Sequence, residues 1–223
     1  MTAATDDVDT ALLAVLREEL VAISRRGWER GLVAGVSGNN SLRVPGTDLV
    51  LIKASGGCMG DMETGDTVLI RLDGTVLDAG RRPSKEWRWH VEVYRRRPDV
   101  GGIAHLHPPL AVAFTVADRP MPLVTTAARA HLRRVGTVPL LPAGSVELAE
   151  AMVEQVADPE VRAVLMAEHG AMTLGPDLRT AHYRTEYLED NARVALTATS
   201  LLGAGVDSLP LAVDTAPLAE ATG

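Results

Sequence analysis

The sequence predicts an α/β fold in which a mixed, mainly antiparallel sheet is covered by helices on both faces. Amphipathic helical stretches open and close the chain, and short β-rich segments punctuated by Gly and Asp lie between them. No repeat, low-complexity linker or shift of composition divides it. At 223 residues, 46% hydrophobic and 23% charged, the chain is long enough for one domain with a sizeable core. A single domain over 1–223 is therefore expected, with its core at about 8–202 and a loose tail at 203–223.

Each element has its own signal. Residues 8–30 carry Leu12, Leu13, Leu16, Leu20, Val21 and Ile23 at mostly three- and four-residue spacings, which predicts an amphipathic helix ending at Gly31. Apolar pieces bounded by turn residues predict strands at 33–36, 41–44, 49–53 and 67–72. Pro83 and Ser84 open a helical pattern over 84–97 that stops before Pro98, with Ser84 as its cap. The apolar run at 101–107 precedes a helix at 110–116. Buried strands at 138–141 and 161–166 flank an amphipathic helix at 146–156, and a long helix fills 177–202. The Ala, Pro, Asp and Thr content beyond Gly203 predicts the tail.

Composition narrows the function. A net charge of −7 argues against a phosphate-backbone binder, so no nucleic-acid partner is expected. No apolar stretch approaches the ~20 residues that span a bilayer, so no membrane partner is expected. The N-terminus MTAATDDVDT is acidic and polar, unlike a signal peptide. Cys58 is the only cysteine, which removes intrachain disulfides and cysteine-cluster metal sites and points to a reducing, cytoplasmic setting. Nearly all basic residues are arginine, and Lys53 and Lys85 are the only lysines.

The chemistry-bearing residues fall into three groups. His105 and His107 form a His-x-His pair, which a strand presents on one face with backbones about 6–7 Å apart, able to offer two nitrogens to one ion. His169 closes the apolar run at 161–166 as His105 and His107 close theirs, and is the best third ligand. Second, Ser84, Lys85 and Glu86 open a helix, where backbone N–H groups, a hydroxyl and a cation favour an anion. Third, the loops Ser37-Gly38-Asn39-Asn40 and Lys53-Ala54-Ser55-Gly56-Gly57 each follow an apolar segment and offer donors on close-approaching backbone. Either loop alone reads better as a turn.

In order along the chain, SerGlyAsnAsn at 37–40, AlaSerGly at 54–56, ProSerLysGlu at 83–86, HisLeuHisPro at 105–108 and GluHisGly at 168–170 resemble the class II aldolase/adducin family. The resemblance runs from about residue 10 to 202. It implies a three-layer αβα sandwich, assembled as a homotetramer with active sites between subunits. It implies that His105, His107 and His169 bind Zn²⁺ or another divalent metal, and that Glu86 is the catalytic acid/base. It further implies that Asn39, Ser55, Gly56 and Ser84 hold the phosphate of a small phosphorylated substrate, and Lys85, where many members have Ser, adds a positive charge to the same anion site.

The activity so implied is a zinc-dependent carbon–carbon lyase cleaving a phosphorylated keto-sugar through a metal-stabilised enediolate. The ProSerLysGlu form, GlyGlyCysMetGly at 56–60 and GluTyrLeuGluAspAsnAlaArg at 186–193 are more similar to the family's branch that decarboxylates 3-oxo-tetronate 4-phosphates. No tyrosine follows in ProLeuValThrThrAla, where the fuculose enzyme supplies a proton donor. Decarboxylation of a 3-oxo sugar-acid phosphate is therefore the alternative, since both reactions leave the same enolate. A dehydratase would share the zinc ligands, whereas the family's epimerases carry Asp where Glu86 stands. A metal-free adducin-like binding module is a further reading, opposed by the retained histidines and Glu86. His90, one turn past Glu86, reads either as a support of the site or as a core-edge residue, the core edge being favoured. His131 could reach a neighbouring subunit's site, and Arg129, Arg133 and Arg134 read as a solvated face.

Overall fold

A computed structural model describes residues 9–78, 80–203 and 205–209. Helix α1 (Thr10–Glu29) is capped by the Asp9 carboxylate, which accepts from the Ala11 N–H at 2.8 Å. Strands β1 (Asn39–Arg43), β2 (Leu49–Lys53) and β3 (Thr67–Arg71) follow, then α2 (Trp87–Arg96), β4 (Gly102–Leu106), α3 (Pro109–Val116) and α4 (Thr126–Leu132). The chain continues through β5 (Arg134–Val138), α5 (Val146–Gln155), β6 (Val161–Met166), β7 (Gly170–Gly175) and α6 (Leu178–Leu202). The seven strands form one sheet in the order β3-β2-β1-β4-β7-β6-β5. Every pair is antiparallel except β5 with β6, whose parallel pairing follows from the α5 crossover between them.

Strand alternation sends one set of side chains to each face. Val50, Ile52, Ile70, Ile103, Val164 and Met172 face α2 and α5, around the fully buried Trp89. On the other face Leu42, Leu49 and Leu51 pack under α1, while Ala163, Leu165 and Ala171 pack under α3, α4 and α6. Helices on both faces of a mixed sheet are the expected three-layer architecture. Among the described residues, no helix is long and apolar enough to cross a membrane.

Several boundaries differ from expectation for local reasons. Residues 33–36 form a turn rather than a strand: Ser37 N–H bonds to the Ala34 carbonyl at 3.2 Å, and Gly35 adopts φ +59°. β1 begins at Asn39 rather than 41 because Asn39 and Asn40 pair with His105 and Ala104. β5 ends at Val138, since Pro139 has no N–H to continue the ladder, so 138–141 is not a strand. α2 begins at Trp87, and Ser84 is not its cap. The Ser84 N–H bonds across to the Lys53 carbonyl at 3.0 Å, which holds residue 84 in an extended link between loops. α4 and β7 carry no signal in the sequence reading. Of the expected tail, Val206–Ser208 form a 3-10 turn and Leu209 is buried in the α6 cluster. The rest of that tail, from 210, lies outside the described residues.

Candidate metal centre and active site

β4 and β7 are neighbours, so the end of β4 and the turn before β7 meet at one end of the sheet. That brings His105 and His107 against His169. The three ring centroids lie 5.0–5.1 Å apart in a near-equilateral triangle, and one ligand nitrogen from each ring falls within 4.8 Å of the others. His169 is placed by a tight turn in which its N–H bonds to the Met166 carbonyl at 3.1 Å and Glu168 adopts φ +56°. The Glu168 N–H is tied to Thr115 Oγ1 at 3.0 Å. Gly170 makes the approach possible. A Cβ there would sit 2.7 Å from the Leu106 carbonyl oxygen and 2.8 Å from His107 Cδ2.

The triangle suits a divalent ion. His105 donates its Nδ1–H to the Ala171 carbonyl at 3.0 Å, which leaves Nε2 as the ring nitrogen that faces His107 at 3.3 Å. Burial and the neighbouring His105 and His169 push His107 down to about 3, so its ring is neutral at neutral pH and one nitrogen offers a lone pair. His169 is lowered likewise, chiefly by burial. With all three rings in their neutral form, His105, His107 and His169 would hold a divalent ion such as zinc, which would supply a Lewis acid to a substrate.

Glu86, immediately before α2, reaches into this triangle and is buried. Its Oε2 lies 3.0 Å from His105 Nε2 and its Oε1 3.7 Å from His169 Nε2. Burial alone would raise this carboxyl. The charge and hydrogen bond of His105, the Asn39 amide and His169 outweigh it and hold Glu86 well below the usual carboxylate range. The same coupling raises His105, against its burial, through the charge of Glu86.

Two loops are stitched together beside the centre. Ala54 bridges to Pro83, and the Ser55 N–H bonds to the Arg82 carbonyl at 2.9 Å. This joins the exposed Ser55 and Gly56 to the buried Ser84 and the exposed Lys85. Gly56, at φ +88°, takes a backbone conformation that a side chain would strain. Asn39 is buried and turned inward, donating Nδ2–H to Glu86 Oε2 at 2.8 Å. Lys53 does not join this mouth. It is 2% exposed, shares the face of Leu49 and Leu51, and bonds only to the Ala54 carbonyl at 3.3 Å, with its amine lowered by burial.

His90 is not a core-edge residue. It is fully buried and hydrogen-bonds Asn39 Oδ1, the amide that contacts Glu86. The spacing of Glu86 to His90, one helical turn, was the sequence signal for it. Ser41 and Tyr94, which continue the network, carried none. His131 stacks on Tyr187 at 4.4 Å, and Arg133 pairs with Glu160 at 2.8 Å.

The model of the class II aldolase and adducin N-terminal domain matches residues 18–196. An L-fuculose phosphate aldolase of Methanococcus vannielii is 31% identical over 177 residues, 79% of this chain and 93% of that protein. A 3-oxo-tetronate 4-phosphate decarboxylase of Escherichia coli is 32% identical over 191 residues, 80% of this chain and 85% of that protein. Among solved structures, the L-fuculose-1-phosphate aldolase of Thermus thermophilus superposes with a TM-score of 0.74 at 25% identity, covering 88% of this chain and 98% of that one. The chain belongs to the class II aldolase and adducin family.

Proposed function

We propose that the chain is a zinc-dependent lyase that cleaves a small ketose 1-phosphate by retro-aldol chemistry. The observation that carries this reading is the buried Glu86 carboxylate set 3.0 and 3.7 Å from two members of a converging histidine triangle. His105, His107 and His169 would hold the ion, which as a Lewis acid stabilises the negative charge developing on substrate oxygens.

Breaking the bond between C3 and C4 of a ketose 1-phosphate takes the proton from the C4 hydroxyl, releases C4 as an aldehyde and leaves C1–C3 as an enediolate. A proton must then arrive at C3 to give dihydroxyacetone phosphate. Glu86 is the titratable group placed to carry that proton, because it is buried, stripped of water, and held by Asn39. Ser55, Gly56, Ser84, Lys85 and the second Nδ2 hydrogen of Asn39 supply the anion cradle. Decarboxylation of a 3-oxo sugar-acid phosphate is the second reading, favoured by the 32% identical decarboxylase relative. It needs the same proton delivery to carbon. The convergence of three imidazoles on one point speaks against a metal-free binding module. The proposal includes a cytoplasmic homotetramer with sites between subunits, in keeping with the single thiol and the exposed mouth residues Ser55, Gly56 and Lys85.

The test is solvent-deuterium exchange into C3 of dihydroxyacetone phosphate, followed by NMR on zinc-loaded protein. The native chain is expected to catalyse exchange, and Glu86→Gln to keep its zinc while slowing exchange about 10²–10⁴-fold. Near-native exchange in that variant would remove Glu86 from its role.

A further inference from the structure

Five buried polar side chains stand in file on the α2 side of the sheet, ending at the site. Tyr94 OH lies 2.9 Å from Ser41 Oγ, which lies 2.7 Å from His90 Nδ1. His90 Nε2 then meets Asn39 Oδ1, and Asn39 Nδ2 meets Glu86 Oε2 at 2.8 Å. Trp89 stacks on the His90 ring at 3.8 Å and 20°, which fixes its plane.

Elementary hydrogen bookkeeping gives this file a direction. A carboxylate has only lone pairs, so Asn39 presents N–H to Glu86 and turns its carbonyl oxygen to His90. That oxygen requires a hydrogen on His90 Nε2. The ring is wholly buried, which keeps it neutral and leaves it a single hydrogen. Nδ1 is therefore an acceptor and takes the Ser41 hydroxyl hydrogen, and Ser41 oxygen accepts from the Tyr94 O–H. Every hydrogen in the chain points toward Glu86. The two carboxylate oxygens end up unlike: Oε2 takes the Asn39 N–H and lies 3.0 Å from His105 Nε2, whereas Oε1 is buried with no hydrogen-bond partner.

We infer that His90 is a positioning residue: its Nε2–H locks the Asn39 amide with N–H on Glu86 Oε2, leaving Oε1 as the oxygen that exchanges a proton with substrate carbon. The inference rests on the proposed role of Glu86. Without the His90 donor the Asn39 amide is free to turn over, which would set its carbonyl against the carboxylate and leave Oε2 with the His105 contact alone.

The experiment uses the full zinc-loaded chain labelled with ¹⁵N-histidine. Long-range ¹H–¹⁵N NMR, with His90 assigned by its absence in His90→Gln, is expected to show the Nε2–H tautomer with Nδ1 bare. An Nδ1–H or doubly protonated ring would overturn the inference. Exchange into dihydroxyacetone phosphate then separates positioning from mere packing. His90→Leu should keep its zinc and lose about 10–100-fold in kcat with KM within about threefold, whereas His90→Gln, whose amide offers N–H at the same place, should recover most of the loss. Native kcat in His90→Leu, or an equal loss in both variants, would overturn it. If His90→Leu fails to fold, the native tautomer decides. If the native chain fails to exchange, the lyase reading falls by itself, and the tautomer still tests the hydrogen-bond chain.

Discussion

Gly170→Ala offers a test of the metal centre that leaves every ligand in place. The added Cβ would lie 2.7 Å from the Leu106 carbonyl oxygen, 2.8 Å from His107 Cδ2 and 3.0 Å from His105 Cε1. Each is well inside the 3.4 Å at which ordinary contact begins. Leu106 lies in β4, a strand paired on both sides, so its carbonyl cannot retreat. The backbone at residue 170 and the two imidazoles must yield instead, by several tenths of an ångström. Overpacking of this kind costs about 1–3 kcal/mol. In a chain of this length that lowers Tm by about 2–4 °C for each kcal/mol. Displacing two ligands should weaken zinc binding by about 10–100-fold, the loss seen when groups that orient ligands are removed. Gly170 does not occupy the left-handed region, so the effect is one of space alone. Competition with a zinc chelator, alongside a thermal melt, reads both quantities. Native zinc affinity in Gly170→Ala would refute the packing argument and with it the placement of the histidine rings.

Other consequences follow from charge. Burial pushes the imidazole of His182 down to about 4 from an unfolded value near 6.5. The unfolded chain therefore binds the extra proton first as pH falls, and stability drops between roughly pH 6.5 and 4. At pH 5 this group should cost about 1–2 kcal/mol, which His182→Gln should abolish. Urea midpoints at pH 7 and pH 5 measure it, and an unchanged pH slope in the variant would contradict it. Lys85→Met should weaken inhibition of deuterium exchange by inorganic phosphate about two- to fivefold, the range for an exposed charge, with zinc content unchanged. Undiminished phosphate inhibition would exclude Lys85 from the cradle.

How far the fold could be read from residues depended on how local each signal was. α1, β2, β3, α3, α5, β6 and α6 lie within a residue or two of their apolar patterns, because their burial matches their periodicity. β7 escaped notice because Gly170, Ala171, Thr173 and Gly175 look like a weak strand by propensity. The close approach of Leu106, His107 and α6 is what demands small residues there. β1 was shifted for a similar reason. Asn39 and Asn40 have low strand propensity, yet their pairing with His105 and Ala104 carries them into the ladder.

Within the site, the metal triangle was legible because His105 and His107 sit two residues apart and His169 ends a strand run. The role of Asn39 was not legible in the same way. The sequence places it in a glycine-bearing loop and suggests an anion donor, but gives no sign that its side chain also bridges Glu86 and His90. Ser41 and Tyr94 join that network only through the antiparallel register of β1 against β4 and the packing of α2 on the sheet. Such contacts arise between residues about 50 positions apart, as with Ser41 and His90. No short-range pattern encodes them.

The central claim is that His105, His107 and His169 hold one catalytic divalent ion. Metal content per chain, measured side by side on the native protein and on His107→Ala after loading with zinc and gel filtration, tests it most directly. The account predicts about one zinc per chain in the native protein and near none in the variant. A native chain that takes up no zinc, or a variant that keeps it, would contradict the account.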